Sequence, residues 1–341
     1  MKPPHYLIYG LILFLPYFLR PDLVGHDSYF YLAQICRETY IPHAIEYNAF
    51  IEILPLIPCD IVIIKLILLT LFLISLFTIQ KIGETFYFEH TGFLVLLSPI
   101  LLLEFLKFEN EAFAFPFLMA ATYYFFRLKN EQGRRLDNIT LCIFLLIVSI
   151  AFWKGALLYA VALFLPYSVP LLVGILWFYP GVHTSFLPSL IPEMAPAILL
   201  SLAFLIMGFT HLDLRVKFQA WFFLALGFLQ NRFLIHALPY LAIGLETRLY
   251  DKWGGVRKFL YYMPFIWILA IFLASPTPGD WELVDSAIDL HNETGKPLYN
   301  EWGFGYWFHY KGLDANYFGW EQPIPSLCPG IQLKDGKVSE C

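Results

Sequence analysis

Four carboxylates stand at the ends of long apolar stretches, where an ionised group is costly and is generally kept for function. Asp27 lies in Gly25-His26-Asp27-Ser28-Tyr29-Phe30, and Glu109 and Glu111 share Phe108-Glu109-Asn110-Glu111-Ala112. Glu193 lies in Leu190-Ile191-Pro192-Glu193-Met194-Ala195-Pro196. Carboxylates from separate loops that meet at a membrane surface offer the oxygen ligands a hard divalent cation prefers, and such a cation helps a phosphate to leave. Taken singly, each also suits a solvated loop or a helix N-terminus, and Glu111 and Glu193 each open an apolar segment. Two cations complement them. Arg232, in Gln230-Asn231-Arg232-Phe233, carries the planar fork that grips a phosphate through paired hydrogen bonds, and Lys154, in Trp153-Lys154-Gly155, is a second. Arginine snorkelling from a helix end is the alternative use of Arg232.

The scaffold that must hold these groups is a bilayer-embedded bundle of helices. Of the 341 residues 59% are apolar and only 14% charged, where about 25% charged is usual in soluble domains. Mean hydropathy is +0.63. A net charge of −5 gives no field to hold nucleic acid, and 34 Phe with 9 Trp exclude a disordered chain. Apolar segments run over 6–19, 61–79, 91–106, 111–126, 139–153, 155–179, 193–210, 218–229, 233–245 and 260–274. No cleavable signal peptide is expected, because the first segment lacks a small-residue cleavage site.

Basic clusters at Arg127, Lys129, Arg134 and Arg135, and at Arg248, Lys252, Arg257 and Lys258, are expected on the cytoplasmic side, as is Lys2. That rule holds along the whole chain only if 155–179 crosses as two short helices broken near Pro166 or Pro170, for about eleven spans. All four carboxylates, Arg232 and Lys154 then face outward. The expected fold is an all-α polytopic membrane protein with a transmembrane domain over 1–275. Its external loops fall at 20–58, 107–111 and 181–193, and a small extracytoplasmic α/β tail covers 276–341.

In that tail Pro276, Pro278 and Gly279 end the last span, 282–290 reads as a short helix, and strand-like pieces follow at 297–299 and 316–318. Asp335-Gly336 is a turn signal. Of Cys36, Cys59, Cys142, Cys328 and Cys341, all but Cys142 are expected outside, so Cys36–Cys59 and Cys328–Cys341 are both possible disulfides.

The order and spacing of these segments resemble the catalytic subunit of oligosaccharyltransferase and, more broadly, the GT-C membrane glycosyltransferases that use polyprenyl-linked sugars. His26 to Tyr31 resembles the family's first acidic motif, and Phe108 to Ala114 its second. Trp153-Lys154-Gly155 is similar to a tryptophan-glycine turn of the later spans, and Ile191-Pro192-Glu193 with Pro196 to the motif of the fifth external loop. Arg232 falls where the family has a phosphate-binding arginine. Glu301-Trp302-Gly303-Phe304-Gly305-Tyr306 resembles a degenerate tryptophan motif.

The resemblance implies a short form lacking most of the family's C-terminal soluble domain. It implies an enzyme of the plasma membrane, multi-pass, that moves a sugar or oligosaccharide from a polyprenyl phosphate or pyrophosphate to an external acceptor: a protein, glycan or lipid. Asp27, Glu109, Glu111 and Glu193 would hold or adjoin Mg²⁺ or Mn²⁺, and Asp27 and Glu193 would be catalytic. Arg232 and Lys154 would bind the donor phosphate, and Trp302, Glu301 and Tyr306 the acceptor. Gly303 replaces the aspartate that reads the glycosylation sequon, so the acceptor expected here is not an Asn-x-Ser/Thr peptide. The rival readings are a transporter or flippase for lipid-linked sugars and a non-catalytic partner subunit. Transport usually places charges near the bilayer midplane, whereas these gather at segment ends.

Overall fold

The computed structural model describes residues 5–37, 48–164, 195–210, 216–229, 231–249, 262–274, 278–300, 304–313, 330–334 and 337–340, with positions 255 and 258. These residues are mostly helical. Contacts divide the chain into two units: Met1–Leu19, Lys65–Leu106 and Asn110–Ala274 form the first, and Arg20–Ile64, Lys107–Glu109 and Ser275–Cys341 the second.

The first unit is built from apolar helices. Two of the described helices, Ile61–Glu84 and Arg135–Phe152, are long and apolar enough to cross a bilayer. The 24 residues of Ile61–Glu84 extend about 36 Å at ~1.5 Å per residue, against a hydrocarbon core of ~30 Å. His5–Phe18, Ala195–Thr210, Lys217–Leu229, Leu234–Leu249 and Met263–Ala274 are shorter. Side chains such as Ile147 (61% exposed) and Leu199 (67% exposed) lie open on these helices, a distribution that suits lipid better than water.

Segment 91–106, expected as one span, is instead Thr91–Leu94, a 3₁₀ turn at Val95–Leu97 and a second helix at Pro99–Leu106. Pro99 is the cause, since it lacks an N–H and drives the residue before it out of the α region. Ser98 is extended, with φ −112° and ψ 122°. Its hydroxyl is shared with that of Ser201 at 2.9 Å.

Two helices form a hairpin, Asn110–Lys129 and Arg135–Phe152, with Phe117 stacked on Phe152 at 5.8 Å. Buried polar groups pin the bundle at defined points. Lys65 donates to the carbonyl of Tyr17 at 3.0 Å, close to the end of His5–Phe18, where a cation complements the helix dipole. The Tyr17 hydroxyl in turn donates to Leu106 O at 2.6 Å.

The second unit holds helix His26–Arg37, the short helix Ala49–Ile53 and, further on, helices Pro278–Thr294 and Phe304–Lys311 with a three-stranded sheet. Strand β1 (Leu298–Asn300) pairs in parallel with β2 (Ile331–Lys334), which pairs antiparallel with β3 (Lys337–Glu340). Lys334 sits opposite Lys337, and the expected turn at 335–336 lies outside the described residues, as does the strand expected at 316–318. Helix Pro278–Thr294 is longer than the expected 282–290, because Pro278 at its first turn and Asp280 beside it both favour an N-terminus. An aromatic core binds this unit: Trp281 stacks on Trp307 at 4.6 Å, and Tyr29 meets Trp281 edge-on at 5.2 Å.

Cys36 and Cys59 form a disulfide, one of the two pairings the sequence allows, while Cys142 is free and buried. Cys328 and Cys341 lie outside the described residues. The bridge joins positions 23 apart, which in the chain-entropy account contributes about 2–4 kcal/mol. Cys36→Ser or Cys59→Ser is therefore expected to lower the melting temperature, and maleimide tagging of the denatured wild-type chain should gain at least two thiols after reduction. A wild-type chain that gains no tags on reduction would show that the bridge does not form.

Candidate functional site

The first acidic segment is anchored before its helix begins. Val24 forms a parallel bridge with Lys107. Gly25 follows with φ +83°, a conformation that L side chains avoid, and a Cβ there would lie 3.2 Å from Lys107 Cδ and 3.6 Å from Glu109 Oε1. The chain then enters helix His26–Arg37, with Asp27 in the first turn, where a carboxylate complements the helix dipole. Ser28 fixes the junction: its hydroxyl donates to Val24 O at 2.5 Å and accepts from Phe108 N–H at 2.8 Å, across 80 residues of sequence. The first and second acidic segments are thus stitched together at both backbone and side chain. Asp27 is half-buried on one, and on the other Glu109 lies 3.5 Å from Lys107 Nζ, with only 12% of its side chain exposed.

The hydroxyl of Tyr29, the residue after Ser28, accepts from Leu23 N–H at 3.1 Å. Burial, reinforced by the charge of Asp22, pushes its phenol well above the usual tyrosine range, so it remains a neutral hydroxyl.

In the first unit Glu111 opens helix Asn110–Lys129 and is buried, 2% exposed. Its Oε1 lies 3.1 Å from His236 Nε2. The imidazole stacks on Trp153 at 5.2 Å, and Trp153 also meets Phe233 at 5.9 Å. Trp153-Lys154-Gly155 and the Arg232 turn therefore meet at the partner of Glu111. Arg232 is half-buried in the 3₁₀ turn Asn231–Phe233, and Lys154 is half-buried between helices Arg135–Phe152 and Ala156–Phe164.

Glu193, Trp302 and Glu301 lie outside the described residues, and Tyr306 falls within helix Phe304–Lys311. Among the described residues no three His, Cys, Asp or Glu side chains gather closely enough to hold a metal. Asp27 and Glu109 in the second unit and Glu111 in the first are each carboxylates, the donor type that a hard cation prefers. Lys107 and His236 were not singled out from the sequence. Each was legible as an ionisable residue at the edge of an apolar run. No protein-family model matches the sequence, and no curated protein matches it.

Proposed function

We propose that the protein is a GT-C-like, oligosaccharyltransferase-like membrane glycosyltransferase of about eleven spans in the plasma membrane. It passes a sugar or oligosaccharide from a polyprenyl phosphate or pyrophosphate to an acceptor on the external face. The observation that carries the reading is the stitch between the first two acidic segments, through Val24 with Lys107 and Ser28 with Phe108. A loop carboxylate kept only for solubility needs no such anchoring, whereas a reacting group must be held to within a fraction of an ångström. The two membrane-length helices, the exposed apolar side chains and a disulfide suited to an oxidising compartment support the membrane setting.

In the reaction an acceptor oxygen or nitrogen forms the new bond to the anomeric carbon as the carbon–oxygen bond to phosphate breaks. The phosphate leaves with the electron pair, and the acceptor proton passes to a base. Asp27 and Glu193 orient the attacking group and Arg232 and Lys154 hold the donor phosphate, while Trp302, Glu301 and Tyr306 line the acceptor. Asp27, Glu109 and Glu193, with Glu111 in or beside the shell, would hold Mg²⁺ or Mn²⁺, which would supply charge neutralisation at the departing phosphate.

The test uses membranes containing the full chain and a labelled polyprenyl-phosphate sugar, with label followed into lipid, glycan and protein fractions. Transfer is expected to stop in excess EDTA and return with Mn²⁺. Paired peptides with Thr or Ala at the third sequon position are expected to perform alike. Label movement equal to that of membranes lacking the chain would overturn the transferase reading, and full activity in EDTA would overturn the cation role.

A further inference from the structure

His236 sits in a box of aromatic rings. Trp153 covers one face with its plane 19° from parallel, Tyr159 stands edge-on at 5.3 Å, and Phe115 and Phe223 close in at 5.5 Å each. The side chain is fully buried. So apolar a box suits phenylalanine or leucine, and an imidazole there is costly unless its nitrogens are used. Nε2 is used, on Glu111 Oε1 at 3.1 Å, while Nδ1 is buried with no hydrogen-bond partner among the described residues. Packing alone gives no reason for a histidine at this point, and the bond to Glu111 does.

We propose that His236 is a positioning residue for Glu111. Stacking on Trp153 holds the ring, and the ring holds one carboxylate oxygen, which sets the direction of the other. His236 also lies in the first turn of helix Leu234–Leu249, four residues after Arg232, so the same bond ties Glu111 to the turn that carries the proposed phosphate ligand. The inference rests on the cation-dependent transferase reading, since it concerns how a carboxylate in or beside the cation's shell is oriented. Hydrogen-bonding partners of ligating carboxylates change metal affinity by about 10–100-fold when removed.

The test measures Mn²⁺ binding by electron paramagnetic resonance on the full chain in detergent, comparing wild type with His236→Phe and His236→Gln. His236→Phe keeps a ring in the box and removes the hydrogen bond; His236→Gln keeps an N–H of similar reach. Melting temperatures are recorded alongside. The expected result is Mn²⁺ affinity at least tenfold weaker for His236→Phe and within threefold of wild type for His236→Gln. Equal binding by wild type and His236→Phe overturns the assignment while leaving the transferase reading in place, as does a loss in His236→Gln as large as in His236→Phe. A wild-type chain that binds no Mn²⁺ overturns the cation role and the assignment together.

Discussion

Asp27→Asn is expected to abolish sugar transfer, with a fall in kcat of about 10²–10⁴-fold, the range associated with a positioned acid or base. The substitution keeps the volume and removes the charge. Because the backbone around position 27 is held independently by Ser28 and by the Val24–Lys107 bridge, the variant should fold as wild type does. Donor KM should change little, since Arg232 rather than Asp27 is assigned to the phosphate. Ser28→Ala provides the complement. It leaves the carboxylate in place and frees both Val24 O and Phe108 N–H, so activity is expected to fall for want of positioning, by less than in Asp27→Asn. The measurement is initial-rate transfer from a labelled polyprenyl-phosphate sugar, with melting temperature as the control for folding. Asp27→Asn retaining a third or more of wild-type kcat would remove Asp27 from the reaction.

Much of the helical layout was legible in the sequence, because apolar length and punctuation are local properties. The apolar run 61–79 became helix Ile61–Glu84, and the run 139–153 became Arg135–Phe152. The run 91–106 was less so: apolarity alone could not show that Pro99 divides it. Helix His26–Arg37 was not expected, although Tyr29, Leu32, Ala33 and Cys36 repeat at the spacing of one helical face. Tyr29, Leu32 and Ala33 are indeed buried on it.

The candidate site divides in the same way. Asp27 and Glu109 could be chosen because each stands in a short polar interval between apolar runs, where a carboxylate is conspicuous. The pairing of their segments could not be read, since it depends on a bridge between residues 24 and 107 that no periodicity announces. His236 and Glu246 were not legible as a site because both lie in the largely apolar helix Leu234–Leu249, outside the acidic segments. Such a residue announces itself by rarity, but its partner lies on another helix and must be found in space.

Glu246→Ala is expected to produce the largest loss of stability among these substitutions, about 1–3 kcal/mol for each buried donor that it leaves without an acceptor. Glu246 is buried, 3% exposed. Its Oε1 accepts the N–H of Glu89 at 2.9 Å and of His90 at 2.6 Å, and its Oε2 accepts the Thr91 hydroxyl at 2.7 Å. Helix Thr91–Leu94 begins here, and its N-cap residue, His90, makes no capping bond with its own side chain. Glu246, more than 150 residues away, performs that office. Thr91 also lies against Gly83, where a Cβ would collide with the threonine side chain. Alanine would thus leave three donors unmet at once. Glu246→Gln keeps one acceptor oxygen and should lose less than half as much. Thermal unfolding in detergent separates the cases, and a double-mutant cycle with Thr91→Val isolates the side-chain bond. Additive losses in that cycle would show that Thr91 and Glu246 act independently, and a Glu246→Ala melting temperature equal to wild type would show that the cap contributes nothing.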